Sequence, residues 1–213
     1  MYRLHCFAQS GNSFKVAFML RALGQPFEAV FVDYMNGVTK GPEWRDELNE
    51  MGEAPVLDDG AKRLTQSGAI LTYLAKKHGA FGGANEDEAQ EILRWILFDN
   101  HKFTSYFATY RFTKSFSATA PDPVIMAWLK GRVDGAFQIV DRHLATRDWL
   151  VGEGPTIADF SLCGYLVYPQ EESGYDLARD YPNLAAWVAR LKALPGYESP
   201  YSMMPGERIA PRW

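Results

Sequence analysis

Short strand-like and helix-like runs of hydrophobic residues alternate at the start of the chain. Residues 2–7 predict a first strand. From Ser13, apolar side chains recur with the spacing of one helix face until Gly24 and Pro26 end the pattern. Residues 27–32 are β-branched and aromatic, so they predict a second strand. This β-α-β order predicts parallel pairing of the two strands through a right-handed crossover.

A hairpin and another helix follow. Residues 42–49 predict a short helix, and Asp59-Gly60 between two strand-like runs indicates a β-hairpin. A further helix begins at Ser67 and ends by Gly79. The order β-α-β-α-β-β-α predicts a small α/β domain over residues 1–79.

Strand patterns nearly vanish after a glycine-rich linker at residues 80–85. Four helices are predicted there, over residues 86–115, 122–146, 156–168 and 184–194. The last residues contain three prolines and predict an irregular tail. The predicted fold class is therefore α/β plus all-α, with an all-helical domain over residues 86–213.

Composition and charge exclude several classes of function. The chain is 47% hydrophobic, carries a net charge of −4, and has no run of basic residues longer than two, which argues against nucleic-acid and anionic-membrane partners. No apolar stretch is long enough to span a bilayer or to act as a signal peptide. Cys6 and Cys163 are far apart and lack metal-site spacing, so we expect reduced thiols, no metal and a cytoplasmic location.

Four local motifs contain candidate catalytic, ligand-binding or helix-capping residues. They are the polar turn Ser10-Gly11-Asn12-Ser13, the segment Glu53-Ala54-Pro55-Val56-Leu57, the turn Thr65-Gln66-Ser67-Gly68-Ala69-Ile70, and the stretch Gly152–Asp159. Ser10, Ser13 and Ser67 each also fit an ordinary helix cap. In the fourth motif, Thr156 and Asp159 have the spacing of a capping box, which predicts a folding element without a catalytic role.

Over essentially the whole chain, these motifs resemble those of the cytosolic glutathione S-transferases, and of bacterial, serine-type, theta-, zeta- or beta-like members in particular. Ser10 stands six residues before Val16, which is the spacing of the family's catalytic hydroxyl. Beta-class members place a cysteine at that point, and this chain has none there. The resemblance implies a thioredoxin-like N-terminal domain, an all-helical C-terminal domain, glutathione as co-substrate without a metal, and a homodimer.

The resemblance also implies roles for single residues. Ser10 would activate the glutathione thiol, with Asn12 or Ser13 able to replace or assist it. The implied glutathione-binding set is Ser10, Lys40, Pro55, Val56, Gln66, Ser67 and Asp99. A free thiol has a pKa near 8.5 and is only about 3% thiolate at pH 7, so lowering that pKa by about two units takes about 2.7 kcal/mol. A hydroxyl hydrogen bond and the positive end of a helix can supply much of that free energy.

The other binding residues divide among the parts of the tripeptide. A cis bond before Pro55 would present the backbone of Val56 to the cysteinyl part, as in an added strand. Ser67 would hold the γ-glutamyl carboxylate at a helix N-terminus. Gln66 would bond the γ-glutamyl amino or carboxyl group. It is neutral where family members often have glutamate, so we expect Asp99 of the partner subunit to face the ligand's ammonium. Lys40, beside Thr39, would bind the glycyl carboxylate or be a solvated loop lysine.

We expect the acceptor to be a hydrophobic electrophile that binds between the two domains. Phe103, Tyr106 and Phe107 on the first long helix would face that cleft, although aromatic residues at helical spacing also fit a core. His101 is a candidate general base or a structural residue. The predicted activity is glutathione conjugation. The alternatives are glutathione-dependent reduction of peroxides or disulfides, and a non-catalytic binding or regulatory protein of the same fold.

Overall fold

A computed structural model describes all 213 residues, and its N-terminal part is built from four strands and three helices. The elements are β1 (Tyr2–Cys6), α1 (Gly11–Ala22), β2 (Phe27–Phe31), α2 (Pro42–Glu47), β3 (Val56–Asp59), β4 (Lys62–Thr65) and α3 (Ser67–His78). Two 3₁₀ turns, Tyr34–Asn36 and Val38–Lys40, lie between β2 and α2. The predicted order β-α-β-α-β-β-α is confirmed.

The four strands form one mixed sheet in the order β2-β1-β3-β4. β1 pairs in parallel with β2, and β3 pairs antiparallel with both β1 and β4, so the predicted parallel pair and hairpin are confirmed. Val56 at the start of β3 lies opposite both His5 near the end of β1 and Thr65 at the end of β4. The segments just after β1, just before β3 and just after β4 therefore meet at the same end of the strands.

The rest of the chain is helical. Its helices are α4 (Glu86–Phe98), α5 (Thr104–Phe116), α6 (Pro123–Leu144), α7 (Ile157–Cys163), α8 (Gln170–Ser173), α9 (Leu177–Asp180), α10 (Pro182–Lys192) and α11 (Pro200–Met203). A π-helical turn, Asp99–Phe103, joins α4 to α5 within the predicted helix over 86–115. The predicted helix over 156–168 ends early, at Cys163, and the tail contains the short α11. No helix has both the length and the apolar character needed to cross a membrane.

Helix α1 is enclosed between the sheet and the helical region. Phe14, Phe18 and Leu20 have no exposed surface, and the rings of Phe18 and Phe160 of α7 lie 5.0 Å apart. The helix starts at Gly11, two residues before the predicted start, because Ser10 caps it. Since α1 packs against both α3 and α7, its N-terminus is held in place by both parts of the chain.

The predicted capping box at the start of α7 is confirmed. Thr156 N–H donates to Asp159 Oδ2 at 2.8 Å, and Thr156 Oγ1 accepts from Ala158 N–H at 3.3 Å. Asp159 Oδ1 also accepts from Leu150 N–H at 3.0 Å and from Trp187 Nε1 at 2.8 Å. Burial raises the pKa of Asp159 in spite of these hydrogen bonds. The carboxylate joins α7 to its neighbours and lies apart from any cleft.

Candidate active site

Three of the four motifs meet where the strand ends converge, and a cleft of about 550 Å³ opens there against α5. From the sheet side, the walls include Ser10, Asn12, Ala54 and Gln66. The same cleft is lined from the helical region by Thr104, Ala108, Thr109, Phe112 and Tyr165, among others. The cleft therefore combines polar groups with apolar side chains, and both parts of the chain contribute to each kind.

Ser10 is the N-cap of α1 and is almost completely buried at the base of this cleft. Its Oγ accepts a hydrogen bond from Ser13 N–H at 3.0 Å. That bond uses a lone pair, so the hydroxyl hydrogen remains able to donate to an anion above the helix N-terminus. Capping and anion binding by Ser10 are therefore compatible. Ser13 is not the cap, because it lies within the first turn of α1 and its buried Oγ has no hydrogen-bond partner.

The loop that carries Ser10 is fixed by the helical region. Tyr168 donates its hydroxyl to Ala8 O at 2.7 Å, and Arg111 Nη1 donates to Gln9 O at 2.9 Å. On the other side, Ala8 N–H donates to Pro205 O at 2.8 Å. These contacts hold the backbone of Ala8 and Gln9, just before Ser10, and so limit the movement of Ser10.

Arg111 lines the cleft but its charge is already neutralised. Its Nε donates to Glu172 Oε2 at 2.9 Å, its Nη2 also contacts that oxygen, and both side chains are buried. The guanidinium carbon lies 3.8 Å from the centre of the Tyr168 ring, and Tyr201 donates to Glu172 Oε1 at 2.8 Å. Arg111 is therefore a structural cation beside the site and not a free anion-binding group.

Tyr165 contributes a second hydroxyl that the sequence did not reveal. Its ring packs so closely on Gly11 that a Cβ at that position would overlap the ring. Burial raises the pKa of Tyr165, while the Arg111 charge and hydrogen bonds from Asn12 N–H and the Ser10 hydroxyl oppose that rise. The phenol therefore stays protonated at neutral pH, and it lies at the N-terminus of α1. In the sequence, Tyr165 is only an aromatic residue that follows the capping box of α7, and nothing in that position indicates that it reaches the site.

The N-termini of α1 and α3 lie side by side. Ser67 is the first residue of α3, and its hydroxyl contacts Asn12 Oδ1 at 3.5 Å. Gln66 precedes it with a φ of 65°, a left-handed conformation that is uncommon outside glycine. The Gln66 amide donates to Glu53 Oε2 at 2.6 Å. Ser10 and Asn12 at the start of α1 and Gln66 just before α3 line the same cleft, whereas Ser67 is buried beside Asn12 and is not part of the lining. Both helix N-termini, which suit anions, therefore lie at this cleft.

The Ala54–Pro55 bond is cis, as expected, but the role predicted for Val56 is wrong. Val56 has no exposed surface, because it packs with Phe7, Val32 and Trp44. Pro55 is buried as well. The residues of this segment that line the cleft are Glu53 and Ala54, and Ala54 lies immediately before the cis bond.

The prediction that Asp99 of the partner subunit binds the ligand is also wrong. Asp99 is fully buried, and its Oδ2 accepts hydrogen bonds from Lys15 Nζ at 2.7 Å and from Ser161 Oγ at 2.6 Å. Thr39 is buried too, whereas Lys40 is exposed on the turn after β2 and lies outside the cleft lining. A contact between Lys40 and a ligand stays a prediction.

The acceptor side of the cleft differs in detail from the expected aromatic stripe. Phe107 is buried against Phe137, and Tyr106 packs on Trp128, away from the cleft. His101 is exposed and outside the lining. The apolar wall instead combines Phe112 and Phe116 of α5 with Phe7, Tyr34 and Met35, and the rings of Phe7 and Tyr34 stack at 4.7 Å.

Comparisons with known proteins agree with this geometry. The family model described as "Glutathione S-transferase, N-terminal domain" matches residues 2–76, and the model for the C-terminal domain of that family matches residues 105–195. The chain belongs to the glutathione S-transferase family. The segments that form the sheet side of the cleft all fall within the first match.

Full-length relatives support the same assignment. Glutathione S-transferase F14 of Arabidopsis thaliana is 29% identical over 92% of this chain and 80% of its own length. A glutathione S-transferase from Xanthobacter autotrophicus Py2 is 33% identical over 93% of this chain and 96% of its own, with a TM-score of 0.83. The glutathione transferase URE2P8 from Phanerochaete chrysosporium, solved with oxidized glutathione, is 25% identical over 94% and 93% of the two chains, with a TM-score of 0.84.

Neither cysteine of this glutathione S-transferase family member is placed for thiol chemistry. Cys6 lies in β1 and Cys163 ends α7, and both side chains are fully buried. Burial raises the pKa of Cys6 to about 12 and raises the pKa of Cys163 as well. Both residues therefore remain thiols at neutral pH.

We expect neither thiol of the native protein to react measurably with an aromatic disulfide reagent within minutes at about pH 8, because the nucleophile is the thiolate. Both thiols should react once urea has unfolded the chain. Absorbance of the released aromatic thiolate measures the number that react. Rapid reaction of even one native thiol would show that this cysteine is accessible and ionisable.

Proposed function

We propose that this protein is a glutathione transferase that binds glutathione in the cleft and holds its sulfur as a thiolate at the N-terminus of α1. The observation that carries the proposal is the position of Ser10, which caps α1 at the base of the cleft through an oxygen lone pair, so that the cap does not use its hydroxyl hydrogen. The thiol proton leaves to solvent, the sulfur attacks an electrophilic carbon, and the new S–C bond replaces the bond to the leaving group. Residues 1–79 and 86–213 would act as two domains that enclose this cleft.

The arrangement of polar groups suggests how glutathione lies. Its γ-glutamyl carboxylate would meet Ser67 and the N-terminus of α3. Its cysteinyl backbone would run along Ala54, so that the sulfur points to Ser10. Lys40, on the turn after β2, would bind the glycyl carboxylate. The backbone contact with the cysteinyl part, which the family resemblance implied for Val56, is thus assigned to Ala54.

The required stabilisation is within reach of these groups. Lowering a thiol pKa from 8.5 by about two units needs about 2.7 kcal/mol. A hydrogen bond to a charged group contributes about 1.5–3 kcal/mol, and a helix N-terminus contributes about 0.3–1 kcal/mol. Ser10 together with α1 therefore suffices without a metal or an organic prosthetic group.

Phe7, Tyr34, Met35 and Phe112 make the acceptor side apolar, which favours hydrophobic electrophiles. Reduction of peroxides or disulfides by the same glutathione thiolate is the second candidate. It is favoured by the similarity to URE2P8, which was solved with oxidized glutathione. We propose a cytoplasmic homodimer, as is typical of the family.

Retention on immobilised glutathione, followed by turnover of an aryl halide, tests the proposal. Retention with release by free glutathione, and formation of the aryl thioether, are the expected results. Turnover of a hydroperoxide without aryl transfer would favour the second candidate. A protein that binds glutathione but turns over neither substrate would be a binding module, and a protein that fails to bind glutathione would contradict both enzymatic functions.

Tyr165→Phe should lower kcat/KM for the aryl halide by about three- to tenfold, because one neutral donor near the thiolate is lost. Tyr106→Phe is the matched control, since Tyr106 packs on Trp128 outside the cleft, and it should leave the rate unchanged. Steady-state kinetics measure both variants. A rate increase in Tyr165→Phe would mean that the phenol competes with the thiolate for the Ser10 hydroxyl.

A further inference from the structure

The contact between Gln66 and Glu53 concerns the end of glutathione that carries two opposite charges. At neutral pH the γ-glutamyl group presents an α-carboxylate and an α-ammonium. The N-terminus of α3 with Ser67 suits the carboxylate. The ammonium needs an anion close by, and Gln66, the residue next to Ser67, is neutral.

Most nearby carboxylates already have cationic partners. Asp99 is buried against Lys15, and Glu172 is buried against Arg111. Asp58 is paired with Arg63 and His5 on the sheet. Glu53 differs from all of these, because it is exposed and is the one acidic residue that lines the cleft.

A hydrogen bond from Gln66 orients the carboxylate of Glu53. The Gln66 amide donates to Oε2 of Glu53 at 2.6 Å, which leaves Oε1 and its lone pairs able to accept from another donor. The amide is neutral, so the hydrogen bond orients the carboxylate without cancelling its charge. The left-handed backbone of Gln66, with a φ of 65°, is the kind of local conformation that is kept at ligand sites.

We propose that Glu53 is the carboxylate that binds the α-ammonium of the γ-glutamyl group, and that Gln66 is its positioning residue. This inference rests on the proposed function, since it assigns a residue to the glutathione site. It replaces Asp99 of the partner subunit by a residue of the same chain, so the ammonium subsite is complete within one protomer. The site then selects ligands that carry a free α-amino group next to the γ-linked carbonyl chain.

The test uses two ligands that differ in one group. Glutathione carries the α-ammonium, and glutaryl-cysteinyl-glycine lacks only that group. By titration calorimetry, the native protein should bind glutathione about tenfold more tightly than the analogue, as expected for one charge-assisted hydrogen bond in a partly exposed site. Glu53→Gln should lose that preference by weakening glutathione alone.

Two further variants separate this role from a general effect on the loop. Glu50→Gln removes an exposed carboxylate three positions earlier, outside the cleft, and should keep the tenfold preference. Glu53→Gln combined with Gln66→Glu exchanges the two side chains and should restore the preference, because the pair again presents one carboxylate. If the Glu53–Gln66 hydrogen bond only stabilised the loop, its loss would weaken glutathione and the analogue equally.

The measurements distinguish a failure of the proposed glutathione site from a failure of the assignment of Glu53. If the native protein binds neither ligand, the proposed glutathione site is wrong and this inference is wrong with it. If the native protein binds both ligands equally, or if Glu53→Gln keeps the preference for glutathione, only the assignment of Glu53 is overturned. Equal weakening of both ligands in Glu53→Gln would also overturn it, since that pattern means a loss of loop structure.

Discussion

Replacing Ser10 with alanine should lower kcat/KM for an aryl halide by at least about tenfold, which corresponds to about 1.4 kcal/mol of lost transition-state stabilisation. The hydroxyl of Ser10 caps α1 by accepting from Ser13 N–H, and its hydrogen is the side-chain donor we assign to the sulfur at the base of the cleft. Alanine removes that donor and leaves the thiolate with backbone N–H groups and the Tyr165 phenol. The fall should be largest below the pH at which the thiol of free glutathione ionises, because there the enzyme must supply the thiolate. Steady-state kinetics over a range of pH measure it.

Ser10 also caps α1, so the loss of the cap has to be separated from the loss of the donor. Loss of an N-cap to alanine costs about 1 kcal/mol of stability, whereas glycine at the same position costs only a few tenths. Ser10→Gly should therefore lose activity like Ser10→Ala while it stays closer to the native stability, and Ser10→Thr should retain part of the activity. Ser13→Ala is the matched control. Unchanged turnover in Ser10→Ala would transfer the role to Asn12 or to the backbone.

Lys15→Met should destabilise the protein by about 3–5 kcal/mol, because it leaves the buried carboxylate of Asp99 without its cation. Lys15 Nζ donates to Asp99 Oδ2 at 2.7 Å and to Thr104 Oγ1 at 3.1 Å, and neither member of the ion pair has exposed surface. The pair joins α1 to the π-helical turn between α4 and α5. Urea unfolding followed by circular dichroism measures the loss.

An exposed ion pair provides the comparison. Arg94→Met removes a cation from Glu91 on the surface of α4, where we expect a loss of less than about 1 kcal/mol. Lys15→Met combined with Asp99→Leu should recover much of the stability, since no charge is then buried alone. A loss in Lys15→Met no larger than that in Arg94→Met would mean that water reaches Asp99.

Much of the fold and the location of the site followed from the sequence. The strand and helix order depended on local spacing and turn residues, which periodicity captures directly. The convergence of Ser10, Ala54-Pro55 and Gln66 follows once β1, β3 and β4 are known to pair. The predicted cis bond and the capping box at Thr156 depended on motifs confined to a few residues, and both are confirmed.

The errors arose where a residue's partner is distant in sequence. Asp99 looked like a free acid because its cation, Lys15, lies on α1 of the other part of the chain. The π-helical turn leaves the apolar spacing of α4 and α5 nearly intact, so the sequence did not show it. Tyr165 reaches Ser10 only after α7 packs on α1. Local motifs, together with the family resemblance that they carry, therefore located the cleft, whereas tertiary packing determined which side chains line it.

The pKa of the glutathione thiol in the complex tests the central claim most directly. Thiolate absorbance of the native complex, titrated with pH and compared with that of Ser10→Ala, measures it. Ser10 and the N-terminus of α1 should bring this pKa to roughly 6.5, about two units below that of a free thiol, and Ser10→Ala should return most of the shift. A thiol pKa near 8.5 in the native complex would contradict the account, because the site would then bind glutathione without activating it.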